Sequence, residues 1–333
     1  MKTIAGIAIA LSMVAPIAAQ ASTKSYRLVM ATESGDRDSV NGKAVQSWAE
    51  MIQEKSKGRM KVNVFFQGEL GGQQELFDQL VKGNVHMMLA WPQTSYDRRI
   101  VVNYIPYLVL DWDDALNAYG QDGWVRKVMD PVYDDIGLKY FGPFPEGFGG
   151  IATKGRYATT FEQARGIKVR SQPIFPLPQT VQAMGFEAVP IDWAEVYTSI
   201  QTGVVDGDSS NVIFWDYQYF RDQINYFVQS SHNFASYSLL MNGETWEKMD
   251  AEDRAIVESA AMAVIEEQFK NAKAEDEKWI AAAEAAGIKY IVPTPEEKAA
   301  WVERVRKAVW PQIEQALGAE VMSVVRENAS TPK

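Results

Sequence analysis

The stretch Arg165–Asn211 reads RGIKVRSQPIFPLPQTVQAMGFEAVPIDWAEVYTSIQTGVVDGDSSN. From Gly166 to Ser171 it alternates, with Ile167 and Val169 on one face and Lys168 and Arg170 on the other. That is the period of a half-buried strand. Arg170 falls near the carboxyl end of this strand, the side on which open α/β sheets place their ligand crevices. Pro173, Pro176 and Pro178 mark a turn and the first turn of a helix, because proline fits there and breaks a helix interior. This helix is predicted to stop at Gly185. Asp192, with Glu195 three residues on, predicts a capping box for a second helix ending at Gly203. Val204-Val205-Asp206-Gly207 predicts a short strand and turn, and Ser209 or Ser210 is placed to cap another helix. Strand and helix alternate throughout, as in an α/β sheet with one cation aimed at its crevice.

The residues before this stretch follow the same alternation. Tyr26–Ala31 predicts a strand, Thr32–Asp36 the loop after it, and the following segment to Lys57 a helix that Gly58 ends. Trp48, Met51 and Ile52 share one side of that helix. Met60–Phe66 predicts a second strand, Gln73–Val81 a helix ended by Gly83, and Val85–Ala90 a third strand running into Trp91-Pro92. This βαβαβ order requires a parallel sheet with right-handed crossovers. Its crevice-facing ends are Thr32–Ser34, Gly72–Gln73 and Trp91.

Farther on, Asp111–Met129 predicts a helix, Lys139–Phe144 a strand, and Gly147-Phe-Gly-Gly150 a crossing into a second domain. Val228–Asn242 reads as extended and returns the chain to the first. Between Asp250, a candidate cap, and Gly287, a candidate terminator, no Gly or Pro occurs. A helix of this length is roughly 50 Å long, more than one domain is wide. Its apolar positions keep no heptad, so a helix spanning both domains fits better than a coiled coil. Tyr290–Pro293 and an amphipathic helix near Pro295–Leu317 complete the chain. Domain I is expected to comprise residues 22–147 with about 236–275, and domain II residues 148–235 with about 276–333.

The opening MKTIAGIAIALSMVAPIAAQAS has the layout of a secretory signal: Lys2, an apolar core from Ile4 to Ala19, and the small-residue site Ala19-Gln20-Ala21. Ser12 and Pro16 interrupt the core, which is shorter than the roughly 20 apolar residues of a membrane span. Cleavage of residues 1–21 is expected, with the mature chain in the periplasm. Cysteine is absent, so no disulfide frame supports it there. Apolar residues make up 47% of the chain, including ten tryptophans, and must supply the core. A net charge of −10 argues against nucleic-acid binding and against a basic membrane-surface role.

The motifs for catalysis are missing. The two histidines, His86 and His232, lie far apart in sequence, and no HExxH, Walker loop, GxSxG or GxGxxG occurs. The pairs Asp113–Asp114 and Asp134–Asp135 read as solvated helix faces. No catalytic residue, metal or cofactor is expected, and the chain is expected to act as a monomer.

Gly166-Ile-Lys-Val-Arg170, Gly185 with Pro190 and Glu195-Val-Tyr197, and Gln201-Thr-Gly-Val-Val-Asp-Gly207 together resemble the solute-binding proteins of tripartite ATP-independent periplasmic (TRAP) transporters. The likeness extends to Lys57-Gly58-Arg59, Gly68-Glu-Leu-Gly71, Leu80-Val-Lys-Gly83, His232 and Asn242-Gly243-Glu-Thr-Trp246, over nearly the whole mature chain. It implies a two-lobed α/β fold of the type II-like periplasmic-binding class, with a long helix spanning both lobes at the hinge. It implies that Arg170 clamps a ligand carboxylate through its planar fork of donors, and that His232 is structural. Gln73, Trp91, Trp193 and Ser210 fall where members of the family place ligand-contacting side chains. Phe148 adjoins the crossing, Asp208, Ser209 and Asn211 the neighbouring turn, and Trp215 lies one helical turn beyond. Glu33 follows the first strand, where it either faces the ligand or, with Ser34, caps a helix; Trp193 and Trp215 have core packing as their alternative.

Three departures narrow the ligand. Many relatives carry a second arginine where this chain has Gly149, and read Asp-Gly-x-Glu-Asn-Pro where it has Asp206-Gly-Asp-Ser-Ser-Asn211. The acidic-tryptophan turn of the sodium-bridged oxoacid binders is missing too. One clamp with aromatic walls suggests an organic acid with a single negative group: an aromatic or aliphatic monocarboxylate, with sugar acids and small sulfonates next. The resemblance implies integral membrane subunits as partners and ion-driven uptake. The alternatives are a receptor that reports to a membrane sensor kinase, and, less supported, an exported hydrolase.

Overall fold

Alternating burial in β1 (Tyr26–Thr32) and β2 (Met60–Phe65) sets these strands side by side in parallel, from Tyr26 beside Met60 to Ala31 beside Phe65. α1 (Val40–Lys55) crosses between them and buries Val45, Trp48 and Ile52. α2 (Gln73–Val81) leads to β3 (Met87–Ala90), which pairs in parallel with the other side of β1. These coordinates are a computed structural model describing residues 24–332, so the predicted signal sequence lies outside the described residues.

A 3-10 stretch, Arg98–Tyr104, leads to α3 (Trp112–Tyr119) and α4 (Trp124–Asp135). The single helix expected from Asp111 is thus two. Gly120 takes an extended conformation at the end of α3 and Gly123 starts α4, so the helical ladder breaks between them. β4 (Leu138–Phe148) is longer than expected and carries the chain to the crossing. Beyond Gly149 and Gly150 the second sheet begins with β5 (Ile151–Thr153). It is followed by α5 (Phe161–Ala164), β6 (Lys168–Ser171), α6 (Leu177–Ala183), β7 (Glu187–Pro190) and α7 (Val196–Thr202). Next come β8 (Gly207–Ser209), α8 (Ile213–Phe220) and β9 (Tyr226–Val228).

Three local expectations fail in this region. The Asp192 side chain makes no capping bond, and a 3-10 turn, Trp193–Glu195, precedes α7. The strand predicted from Val204 starts at Gly207 instead. Val212, not Ser209 or Ser210, occupies the cap position of α8. Both serine hydroxyls are engaged elsewhere, on Arg170 and on His232.

β10 (Phe234–Asn242) returns to the first sheet and lies antiparallel between β3 and β4. The rest is α9 (Gly243–Glu247), α10 (Ala251–Ala285), β11 (Lys289–Ile291), α11 (Pro295–Leu317) and α12 (Ala319–Asn328). The sheet orders are β2-β1-β3-β10-β4 and β11-β9-β5-β8-β6-β7, one for each lobe.

α10, 35 residues long, starts at the Asp250 cap as expected and touches both lobes. Near its start the Val257 carbonyl accepts from Trp48 Nε1 at 3.3 Å, with Ala260, Ala261 and Val264 in the same core. Near its end Trp279 packs on Phe214 of α8, ring centres 4.9 Å apart. α11 also joins the lobes. Its Trp301 donates to the Met184 carbonyl behind α6, and its Trp310 to the Pro106 carbonyl of the first lobe, each at 3.1 Å.

Candidate functional site

Parallel strands leave their carboxyl ends at one edge of each sheet, and the two lobes bring these edges face to face. Ser34 follows β1, Gln73 opens α2 and Trp91 follows β3 on one wall. Arg170 from β6, Gln172, Trp193, Ser210, Asn211 and Trp215 form the other, with Glu146 of β4 and Tyr237 of β10 at the junction. They enclose a cavity of about 40 Å³, room for roughly three water-sized groups.

Arg170 is almost fully buried. Its Nε donates to the Ile191 carbonyl at 2.8 Å and Nη1 to Asp208 Oδ1 at 3.3 Å, and the guanidinium lies 5.8 Å from the Trp193 ring centre. Among the described residues no hydrogen-bond acceptor takes Nη2. Ser209 Oγ donates to the Arg170 carbonyl at 2.7 Å, pinning the strand that delivers it.

Ser210 sits in the left-handed region at φ +75°, a conformation a serine adopts only at some cost. Neighbouring bonds impose it. Its N–H reaches the Gly150 carbonyl at 3.0 Å, its carbonyl accepts from Asn233 Nδ2 at 3.0 Å, and its Oγ meets His232 Nε2 at 3.0 Å. His232 Nδ1 meets Ser230 Oγ at 2.7 Å. Burial pushes this imidazole down to about 3, so it is neutral at physiological pH and holds the floor of the site. Gly149 has no room for a side chain: a Cβ there would stand 2.2 Å from Asn233 Oδ1 and 2.7 Å from the Ser210 carbonyl oxygen.

Carboxyls occupy the junction. Glu33 Oε1 accepts from the Trp91 N–H at 2.6 Å, while its other oxygen is buried without a partner among the described residues. Burial pushes Glu33 up to about 7. Glu146 Oε1 accepts from Trp215 Nε1 at 2.9 Å, a bond that crosses between the lobes. Burial pushes Glu146 up to about 8, and the nearby Glu33 adds to this while the Trp215 bond opposes it. The walls are aromatic. Trp91 meets Tyr237 edge-on at 4.8 Å, and Trp193 meets Trp215 edge-on at 6.0 Å.

Seven of the residues singled out in the sequence line the cavity: Gln73, Trp91, Arg170, Trp193, Ser210, Asn211 and Trp215. Four do not. Phe148 packs edge-on against Trp112 at 5.7 Å and Phe234 at 5.2 Å, within the core. Asp208 and Ser209 lie behind Arg170 and hold it. Glu33 stands behind Trp91; the first helix is capped by Ser39 instead. Sequence reasoning missed Glu146, Gln172 and Tyr237. Glu146 had a signal, since it is the one charged residue in the run Tyr140–Ile151. A wider groove of about 370 Å³ runs between α1, α8 and α10. Two of its acids are already engaged, Asp36 with the N–H groups of Asp38 and Ser39, and Glu275 with Lys278 and Trp279.

Residues 30–315 match the family model described as bacterial extracellular solute-binding protein, family 7. The chain is 28% identical over 262 residues to the ectoine/5-hydroxyectoine-binding periplasmic protein UehA of Ruegeria pomeroyi, covering 78% of this chain and 74% of that one. It is 26% identical over 294 residues to the C4-dicarboxylate-binding periplasmic protein DctP of Rhodobacter capsulatus, covering 87% of each. Its fold is similar to that of a TRAP periplasmic solute-binding protein from Roseobacter denitrificans solved with β-D-glucuronate, at TM-score 0.84 and 20% identity over 92% of this chain and 99% of that one.

Proposed function

The chain belongs to the bacterial extracellular solute-binding proteins of family 7, the periplasmic receptors of TRAP transporters, and on that premise we propose that it captures a small monocarboxylate whose far end donates hydrogen bonds. It binds an organic anion and carries out no chemistry on it. In this reading Arg170 Nη2 meets the carboxylate, Trp193 and Trp215 flank the body of the solute, and Glu146 meets its other end. One observation supports the polarity of the site. Polar atoms of lining residues lack partners among the described residues, Gln172 Oε1 and Trp91 Nε1, and so does Glu33 Oε2 behind Trp91. Buried groups of this kind cost stability unless something pairs with them. A carboxyl at the junction, Glu146, suits a hydroxyl, amide or cationic group better than a second carboxylate, which is compatible with a relative named for ectoine.

Closure around the solute is favoured only by its contacts with both walls, and the closed form is what the membrane subunits receive. A charge-assisted bond contributes roughly 1.5–3 kcal/mol, and a micromolar ligand binds with about 8 kcal/mol in all. Calorimetry should therefore show Arg170→Ala losing most affinity for whichever acid binds. A panel of aromatic, aliphatic and hydroxy monocarboxylates, sugar acids, sulfonates, ectoine and dicarboxylates identifies the class. Full-strength binding by Arg170→Ala, or tight binding of dicarboxylates alone, overturns the reading.

A further inference from the structure

Behind Arg170 two aspartates share a space with one arginine and one amide. Asp208 ends its side chain on Arg170 Nη1, and Asp216 projects from the first turn of α8; both are fully buried. Asn211 Nδ2 donates to Asp208 Oδ2 and, at 3.3 Å, to Asp216 Oδ1. Asp216 Oδ2 has no donor among the described residues. Two ionised carboxylates here would outnumber the single buried cation. They would leave a net negative charge behind the guanidinium that is to receive an anion.

We propose that Asp216 is a protonated carboxyl that donates to Asp208, so the pair carries one charge and Asp208 alone balances Arg170. Asp216 is thus a positioning residue for the ligand-binding arginine, acting through Asp208. Its place in the first turn of α8 favours ionisation, because a helix amino terminus stabilises negative charge. That term is small beside burial and a second carboxylate held by the same Asn211 amide. Both influences push Asp216 well above the usual carboxylate range, burial most and Asp208 next, while Asn211 opposes. The pair behaves as one acid with a single proton over a wide pH range. In consequence the site presents a neutral cluster, not a net negative one, to an incoming carboxylate, and Asp208 is the one charge set against Nη2 within it.

The functional meaning of this assignment rests on Arg170 as the clamp, yet its test needs no solute. With carbon-13 label in the aspartate carboxyls, the intact protein at pH 8 should show a protonated carboxyl resonance; Asp276, which burial pushes up to about 7, is mostly ionised there. The resonance should vanish in Asp216→Asn. The asparagine amide replaces the donated proton, so the Arg170 Nε–H signal should keep its position in that variant and move in Asp216→Ala and Asp208→Asn. Wild-type aspartates that are all ionised at pH 8 overturn the proposal, even if no variant folds. So does an Arg170 signal displaced in Asp216→Asn. Failure of the clamp would appear separately, as unchanged calorimetry for Arg170→Ala.

Discussion

Replacing Glu146 by glutamine should make the solute-free protein more stable near neutrality and leave it unchanged in acid. The carboxyl is pushed up to about 8 from an ordinary value of 4.5, chiefly by burial. Below pH 4.5 folded and unfolded chains both hold the proton, and the substitution alters no charge. Between 4.5 and 8 the unfolded chain ionises while the folded one does not, so wild-type stability falls as pH rises; above 8 the loss is complete. At pH 7 a carboxyl cut off from water would lose about 3 kcal/mol by this route. Glu146 faces the cavity, and water there reduces the cost to on the order of 2 kcal/mol. Glutamine still accepts from Trp215 Nε1, so the bond between the lobes survives. Thermal unfolding followed from pH 4 to 8.5 should show the two proteins together at the acid end and the variant ahead by roughly 3–5 °C at pH 7–8. Parallel curves across the whole range would refute the reasoning. In the proposed function, the solute group that meets Glu146 offsets this cost.

Three other outcomes follow from the packing. Gly149→Ala places a methyl against Asn233 and the Ser210 backbone, which should cost about 1–3 kcal/mol in denaturant unfolding. His232→Gln should lose about 1–2 kcal/mol at pH 7 from the serine bonds but flatten the acid limb. The wild-type imidazole, held near 3 against an ordinary 6.5, stays neutral in the folded protein while the unfolded one charges, so stability drops as pH falls through 6.5 and levels near 3. Ala272→Pro, in the middle of α10 where the residue is buried, should cost at least about 3 kcal/mol and uncouple the lobes, read by calorimetric unfolding in two steps instead of one.

Much of the fold was legible because its signals are local. The alternation in Tyr26–Ala31, the glycine after α2 and the unbroken run from Asp250 each name an element without help from its neighbours. Boundaries near Asp192 and Ser209 were not: a 3-10 turn takes the place of the Asp192 cap, and the Ser209 and Ser210 hydroxyls are drawn to Arg170 and His232. Arg170 was legible as a strand-end cation, but its pairing with Asp208 depends on β6 lying beside β8, a contact between residues 38 apart. Glu146 and Tyr237 reach the cavity from strands whose pairing the sequence does not state. Phe148 adjoins the cleft in sequence and turns to the core, since Trp112 and Phe234 offer it more apolar surface than a wet junction.

β10 has a bearing on how the molecule is made. It lies inside the first sheet, with β3 on one side and β4 on the other. A nascent chain therefore has a gap in mid-sheet until residue 242 leaves the ribosome, by which point the inserted lobe has been synthesised through β9. No amino-terminal fragment ending earlier can close its own sheet. Completion of the first lobe therefore waits on a strand from the last third of the chain.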